Sequence, residues 1–366
     1  MTRRTSEQQL RAAMHRALDL AAGGPVGVNP RVGCVILDSA GERAGEGRHE
    51  GAGTPHAEVA ALAKAGGRAR GGTAVVTLEP CNHTGRTGPC SQALLDAGIV
   101  QVVYGREDDV EPAAGGAARL ADQGVEASLV ADVDLRRRCE ALVSDWALAR
   151  LLGRPVVTWK VASTLDGRVA AADGTSRWIT SPGARADVHR LRGENDTILV
   201  GTGTALVDDP ALTVRSADGG LAARQPLRAV MGRRALPEGS LLARALADPA
   251  TAASVLLLDT REPKDALQQL WDAGLRHVLL EGGPTLAAAF WRAGLVDHVV
   301  AYLAPALLGA GAGVVADLGI ATIDAAARLR LDDVARVGDD VRLTLTPLPA
   351  EPAHHVQHHP SNERDR

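Results

Sequence analysis

Apolar positions along the chain recur at two periods, and their alternation predicts the order of elements. Residues 6–22 place Leu10, Ala13, Met14, Ala17, Leu18 and Ala21 three or four apart, the stripe of an amphipathic helix. Gly33–Leu37 is a short apolar run stopped by Asp38-Ser39-Ala40-Gly41, which predicts a buried strand and a turn. The pattern then predicts helix 56–65 behind Pro55, strand 73–78, helix 91–97 closed by Gly98 and strand 99–104. Helix 117–123, closed by Gly124, and strand 125–130 follow. Strands alternating with helices imply a layered α/β sheet.

A further helix, 135–152, stops at Gly153-Arg154-Pro155, the usual stop chemistry, and a second α/β pattern begins. Its expected strands are 156–162, 197–200, 228–231, 254–258, 277–280 and 299–303, with a closing strand near 341–345. The chain is thus expected to divide into a first domain, 1–152, and a second, 153–349. The polar tail 350–366, with His354, His355, His358 and His359, is expected to be disordered. A length of 366 residues suits two domains of ordinary size.

Composition narrows the class. No apolar run reaches the roughly 18 residues of a membrane span, and the first residues contain no apolar signal core, so a cytoplasmic protein without membrane contact is expected. Forty basic residues against 44 acidic ones give a net charge of −4, which argues against a nucleic-acid backbone binder and for a small-molecule substrate. Four cysteines are too few for a disulfide scaffold. Only Lys64, Lys160 and Lys264 are lysines, the other 37 of the 40 basic residues being arginines, so Lys160 inside an apolar strand suggests a specific ammonium.

His56-Ala57-Glu58 opens a helix, Pro80-Cys81 follows a strand, and Cys90 starts the next helix. One imidazole and two thiolates suit Zn²⁺, and three protein ligands leave a fourth position for water, as in catalytic sites. Glu58, two residues from His56, is placed to shuttle protons. Singly, each residue reads as a helix-start histidine or a buried thiol; jointly they read as a zinc deaminase. Cys34 and Cys139 have no such partners and are expected in the core, and His83 is expected as a loop contact. In the second unit, Val200–Thr204 and Leu280–Thr285 are Gly-rich turns after strands. Neither is the full dinucleotide fingerprint, and each alone reads as a plain turn.

Eight residues separate Cys81 from Cys90, instead of the two of the general deaminase pattern. With Asn29–Val35, Gly45–His49, Pro55–Val59 and Thr77–Cys90, this longer loop resembles the bifunctional riboflavin-biosynthesis deaminase/reductase family, RibD. Gly88 stands where that family usually has a second proline. Residues 156–345 resemble its reductase half through Lys160–Arg168, Ser176–Ser181, Leu206–Arg215, Glu281–Thr285 and Ala293–Asp297. The resemblance implies a cytidine-deaminase-like α/β/α domain followed by a dihydrofolate-reductase-like α/β domain. It also implies one zinc per chain, NADPH, and a homo-oligomer through the reductase half. Glu58, Lys160 and Asp208 are the implied catalytic residues. NADPH contacts are implied at Ala162, Trp178, Thr204, Asp208, Gly283, Pro284, Thr285, Leu286, Ala287, Ala288 and Ala289. Substrate contacts are implied at Asn29, His49, Ser176, Arg192, Leu212, Arg215 and Glu281. After strand 228–231 the chain departs from the family: Gly232-Arg233-Arg234 replaces an aspartate–serine or similar pair, and one of the two arginines is expected to read the NADP 2′-phosphate. A nucleic-acid-editing deaminase is disfavoured by the acidic balance and the large second domain, and a non-catalytic binding protein by the intact ligand set and Glu58.

Overall fold

The computed structural model describes residues 5–84, 88–108 and 113–349; the histidine-rich tail lies outside them, as do the middle three residues of the loop between Cys81 and Cys90. The described chain divides into two compact units. One holds the residues up to Val156 with Arg192–Thr197 and Asp265–Val278; the other holds Val157–Leu191, Ile198–Lys264 and the residues from Leu279 on. No described helix is long and apolar enough to cross a membrane.

The first part of the chain runs α1 (Glu7–Ala22), β1 (Gly33–Leu37), β2 (Arg43–Arg48), α2 (Ala57–Ala65), β3 (Thr73–Val76), α3 (Cys90–Asp96), β4 (Gln101–Tyr104), α4 (Gly116–Asp122), β5 (Glu126–Leu129) and α5 (Val133–Leu152). Ser6 and Gln9 close a reciprocal capping box on α1, and the Asp132 side chain accepts from Asp134 N and Leu135 N at the start of α5. The sheet order is β2-β1-β3-β4-β5. β1 is antiparallel to β2 and β3, with Cys34 opposite Val76, while β3, β4 and β5 are parallel.

Successive strand residues point to opposite faces, and both faces are covered. Cys34, Ile36, Ala74, Val76 and Val102 pack with Ala57 and Ala61 of α2, Leu94 of α3 and Leu120 of α4. Val35, Leu37, Val75 and Val103 pack with Met14, Ala17 and Leu18 of α1 and Leu135 and Cys139 of α5. This two-sided burial is why β1 and β3 read as nearly continuous apolar runs.

β2, with the sequence Arg-Ala-Gly-Glu-Gly-Arg, carries no strand pattern, yet pairs along β1. Its glycines answer to packing. A Cβ at Gly47 would lie 2.5 Å from the Ala57 carbonyl oxygen and 2.6 Å from Ala61 N, and one at Gly45 2.3 Å from the Ala61 carbonyl oxygen. Only bare backbone lets α2, which carries Glu58, lie this close to the sheet.

The second part continues β6 (Val156–Thr164), α6 (Pro182–Gly193), β7 (Thr197–Gly201), α7 (Thr202–Asp208), β8 (Leu227–Met231), α8 (Leu241–Ala247), β9 (Val255–Leu258), α9 (Pro263–Asp272), β10 (His277–Leu280), α10 (Pro284–Arg292), β11 (His298–Ala304), β12 (Leu329–Val337) and β13 (Asp340–Pro347). The eight strands order as β12-β13-β11-β6-β10-β7-β8-β9. β11 pairs in parallel with β6, Val300 opposite Lys160, and antiparallel with β13. Ile198, Val200, Val230 and Val255 pack with Ala205, Leu212 and Leu242; Leu279, Val300 and Tyr302 pack with Ala184, Val188 and Leu191 of α6. The buried Tyr302 hydroxyl donates to Asp187 (2.8 Å), which also accepts from Arg190 and Arg342.

Two expectations change here. The Gly-rich segment after β7 is not an open turn: α7 begins at Thr202, so Gly203 sits in its first turn. β12 is a strand the pattern does not announce, because most of its residues face solvent and Leu-Asp-Asp-Val-Ala-Arg alternates on neither face.

Candidate functional site

His56 is the residue that caps α2, its backbone still extended (φ −66°, ψ 161°), so its side chain projects from the helix start while Glu58 lies within the first turn. Cys81 comes from the segment after β3, and Cys90 is the first residue of α3. The structure brings the three together: His56 Nδ1 lies 3.2 Å from Cys90 Sγ and 3.6 Å from Cys81 Sγ, and all three donor atoms fall within 4.8 Å of one another. Zinc bonds of about 2.0–2.1 Å to nitrogen and 2.3 Å to sulfur, held tetrahedrally, would separate N and S by about 3.6 Å. The donor set therefore fits zinc in chemistry and in spacing.

The two thiols act on each other through a shared hydrogen bond. The Cys81 thiol is pulled well below its ordinary value, chiefly by the hydrogen bond from Cys90 and next by that from His56, with burial opposing. Cys90 is driven the other way by the same hydrogen bond and by burial. One proton shared between two sulfurs is what a metal cation would displace. The Glu58 carboxyl, 3% exposed, is raised by burial to about 7. It is thus balanced between taking and giving a proton near neutrality.

Beside the ligands, the His49 ring meets the His56 ring edge to face, centroids 5.4 Å apart. His49 Nδ1 donates to the Pro55 carbonyl (3.2 Å), which can only accept, so His49 Nε2 accepts from Asn29 Nδ2 (2.8 Å). Burial lowers the His49 pKa and keeps this neutral tautomer. Both residues line an open pocket with His56, Glu58 and Cys81. Sequence reasoning missed other walls of it: Val28, Asp108, Trp146 and Arg150. Trp146 donates its indole N–H to the Val28 carbonyl (2.9 Å), and the Arg150 guanidinium lies 5.6 Å from that ring. Trp146 belongs to the apolar face of α5, and nothing in a helical stripe tells core from pocket wall. His83 also lines the pocket, and its Nδ1 is buried with no hydrogen-bond partner among the described residues.

In the second part of the chain, Lys160 and Ala162 lie two apart on β6 and face the same side. Gly283 caps α10, Pro284 is its first residue, and Gly283 N donates to Thr204 Oγ1 (3.0 Å), so the start of α7 and the start of α10 meet. Leu286 packs 3.7 Å from where a Gly201 Cβ would stand, while Thr285, Ala287, Ala288 and Ala289 continue the helix, with Ala287 and Ala288 buried. Arg234 Nε donates to Thr202 Oγ1 (3.3 Å) in the same place, whereas Arg233 faces Asp259 (3.5 Å) in an exposed pair. Arg177 donates to the Asp208 carbonyl at the end of α7. Trp178 is 71% exposed, with the Arg185 guanidinium 4.5 Å from its ring. Leu212 is buried at φ 50°, Ser176 and Arg192 are half-buried, and Glu281 follows β10. Arg215 is turned toward its own loop, donating to the Gly219 carbonyl (2.9 Å).

The comparisons with known proteins agree with this layout. The family described as the cytidine and deoxycytidylate deaminase zinc-binding region matches residues 7–106, and the RibD C-terminal domain matches residues 155–343. The riboflavin biosynthesis protein RibD of Mycobacterium tuberculosis is 48% identical over 316 residues, covering 86% of this chain and 90% of its own length. That of Escherichia coli is 39% identical, covering 91% and 98%. Among solved structures, Acinetobacter baumannii RibD superposes with a TM-score of 0.80 at 37% identity, over 94% of this chain and all of its own. A Thermotoga maritima diaminohydroxyphosphoribosylaminopyrimidine deaminase/5-amino-6-(5-phosphoribosylamino)uracil reductase superposes at 0.81 and 28%. Two domain matches in the family's order, with relatives aligned over most of both chains, place this chain in the RibD family of bifunctional, zinc- and NADPH-using deaminase/reductases of riboflavin biosynthesis.

Proposed function

We propose that this chain deaminates 2,5-diamino-6-(ribosylamino)pyrimidin-4-one 5′-phosphate and then reduces the ribosyl group of the product, 5-amino-6-(5-phosphoribosylamino)uracil, to ribityl. We assign the first step to residues 1–152 and the second to 153–349. The observation that carries the reading is the convergence of His56, Cys81 and Cys90 beside a buried Glu58 in an open pocket. His56, Cys81 and Cys90 would hold the zinc, whose Lewis acidity makes a water nucleophilic at neutral pH. Glu58 takes the proton of the attacking water and returns it to the exocyclic nitrogen as the C–N bond breaks, so that ammonia leaves and the ring carbon becomes a carbonyl. Asn29 and His49, fixed by each other and by Pro55, orient the ring or its ribose at the pocket wall.

In the reductase half, bound NADPH would supply the hydride that reduces the ribose C1′; as the sugar ring opens, its ring oxygen takes a proton. Lys160 and Asp208 are the groups assigned to that proton. Ala162, Trp178, Thr204, Asp208 and the Gly283–Ala289 turn would hold NADPH, a reading supported by the Thr204–Gly283 hydrogen bond, which joins two of these segments. Ser176, Arg192, Leu212, Arg215 and Glu281 take the substrate and its phosphate. Exposed Leu331, Val334 and Val341 on β12 and β13 support a homo-oligomer through this half, which light scattering on the eluting protein tests. Four free, buried cysteines suit a reducing cytoplasm. The deciding experiment supplies purified protein with the diaminopyrimidinone phosphate: ammonia must be released without NADPH, and NADPH must be oxidised only afterwards. NADPH oxidation without prior ammonia release would refute the order.

A further inference from the structure

The residue that follows each ligand cysteine is caught in one hydrogen-bond net centred on α4. Asn82, next to Cys81, uses its Oδ1 to accept from Ser91 Oγ (3.1 Å) and from Arg119 Nη1 (3.3 Å). Ser91, next to Cys90, is fully buried and also donates its backbone N–H to the Cys81 carbonyl (3.2 Å). Arg119 Nη2 donates to Gln92 Oε1 (2.5 Å), and the Gln92 amide is turned the right way by donating to Asp96 (2.8 Å). Asn82 N donates to the Ala113 carbonyl (2.9 Å), which ties the Cys81 segment to the approach to α4. A Cβ at Gly116 would stand 1.7 Å from the Pro80 carbonyl oxygen, so α4 can begin against Pro80-Cys81 only with glycine there.

We propose that Arg119 is a positioning residue for the zinc site: its two-pronged contact with Asn82 and Gln92 locks the segments bearing Cys81 and Cys90 at ligand spacing and so sets how long the metal is held. The inference rests on the zinc reading above and deepens it. Two features make such a clamp necessary. The cysteines are separated by eight residues instead of two, and a longer tether holds its ends together less well. Neither cysteine side chain touches Arg119 in this net, so the restraint acts through their neighbours. A planar guanidinium can donate to two acceptors at fixed separation, which an ammonium cannot reproduce. Partners of this kind around metal ligands typically alter metal affinity by about 10–100-fold.

The test is the rate at which zinc-loaded full-length protein gives up its metal to a chromogenic chelator, read beside the melting temperature of the metal-free protein. Arg119→Met should release zinc about 10–100-fold faster while the metal-free melting temperature stays within about 2 °C of wild type. Arg119→Lys, which keeps the charge and loses the fork, should fall between Arg119→Met and wild type. Asn82→Ala, a second route if Arg119→Met folds poorly, should match Arg119→Met, and the double variant should be no faster than either, because both remove one net. Wild-type release from Arg119→Met, equal losses of melting temperature with and without metal, or additive effects in the double variant would each overturn the clamp. A wild-type protein that binds no zinc would overturn the zinc reading and the clamp together.

Discussion

Arg233 and Arg234 are adjacent in sequence, and only the structure separates them. Arg234 reaches back to Thr202 at the start of α7, with Nη2 placed 3.3 Å from where a Gly203 Cβ would stand, next to the Thr204–Gly283 contact where the NADPH turn is assigned. Arg233 points to Asp259 in an exposed pair, the kind worth about 0–1 kcal/mol. If Arg234 reads the 2′-phosphate, its charge-assisted hydrogen bonds contribute about 1.5–3 kcal/mol, and at about 1.4 kcal/mol per decade this is about 10–100-fold in affinity. Losing the bond to Thr202 costs a further ~1 kcal/mol of stability, too little to unfold the domain. Arg234→Ala should therefore weaken NADPH binding about 10–100-fold while changing NADH binding by no more than about twofold; Arg233→Ala should change neither by more than about threefold. Fluorescence titration of each nucleotide gives the dissociation constants, and 2′,5′-ADP against 5′-AMP as competitors isolates the phosphate from the nicotinamide. An NADPH constant within about twofold of wild type in Arg234→Ala, or a loss that follows Arg233 instead, would refute the assignment.

Three further outcomes are expected. Cys81→Ser should cut zinc content by metal analysis to well below one per chain and abolish ammonia release, because a serine hydroxyl is not deprotonated to serve as a ligand as a thiol is. Glu58→Gln should keep zinc and circular dichroism but lose deamination by about 10²–10⁴-fold, since an amide neither takes nor gives the proton, while still oxidising NADPH when given the deaminated intermediate; loss of both activities would contradict independent sites. Gly47→Val should destabilise the protein by about 1–3 kcal/mol in urea titration, because the new side chain overlaps the backbone of α2. It should also slow deamination about 10²-fold through displacement of Glu58 by about 1 Å; an unchanged rate would show that α2 is not held by this contact.

The alternation of elements was legible because burial imposes it. β1 and β3 are buried at every residue and apolar at nearly all of them since both faces are covered, and α1 and α5 carry stripes and caps that nearby residues satisfy. The ligand types were legible too, because only soft, deprotonatable side chains suit zinc, and so was the family, carried by runs of residues in order along both halves. Local pattern failed where a residue's role belongs to its neighbour in space. Gly45 and Gly47 look like loop residues but form a strand because α2 presses on them, and β12 hides as a polar segment because pairing with β13, not burial, holds it. The same limit applies to the site. That His56, Cys81 and Cys90 lie within 4.8 Å, that burial raises Glu58, and that Asn82 and Arg119 share a hydrogen bond across 37 residues are consequences of packing between elements distant in sequence. Desolvation and donor spacing depend on all the atoms around a group, so residue types were written in the sequence, and their acidities, distances and partners only in the fold.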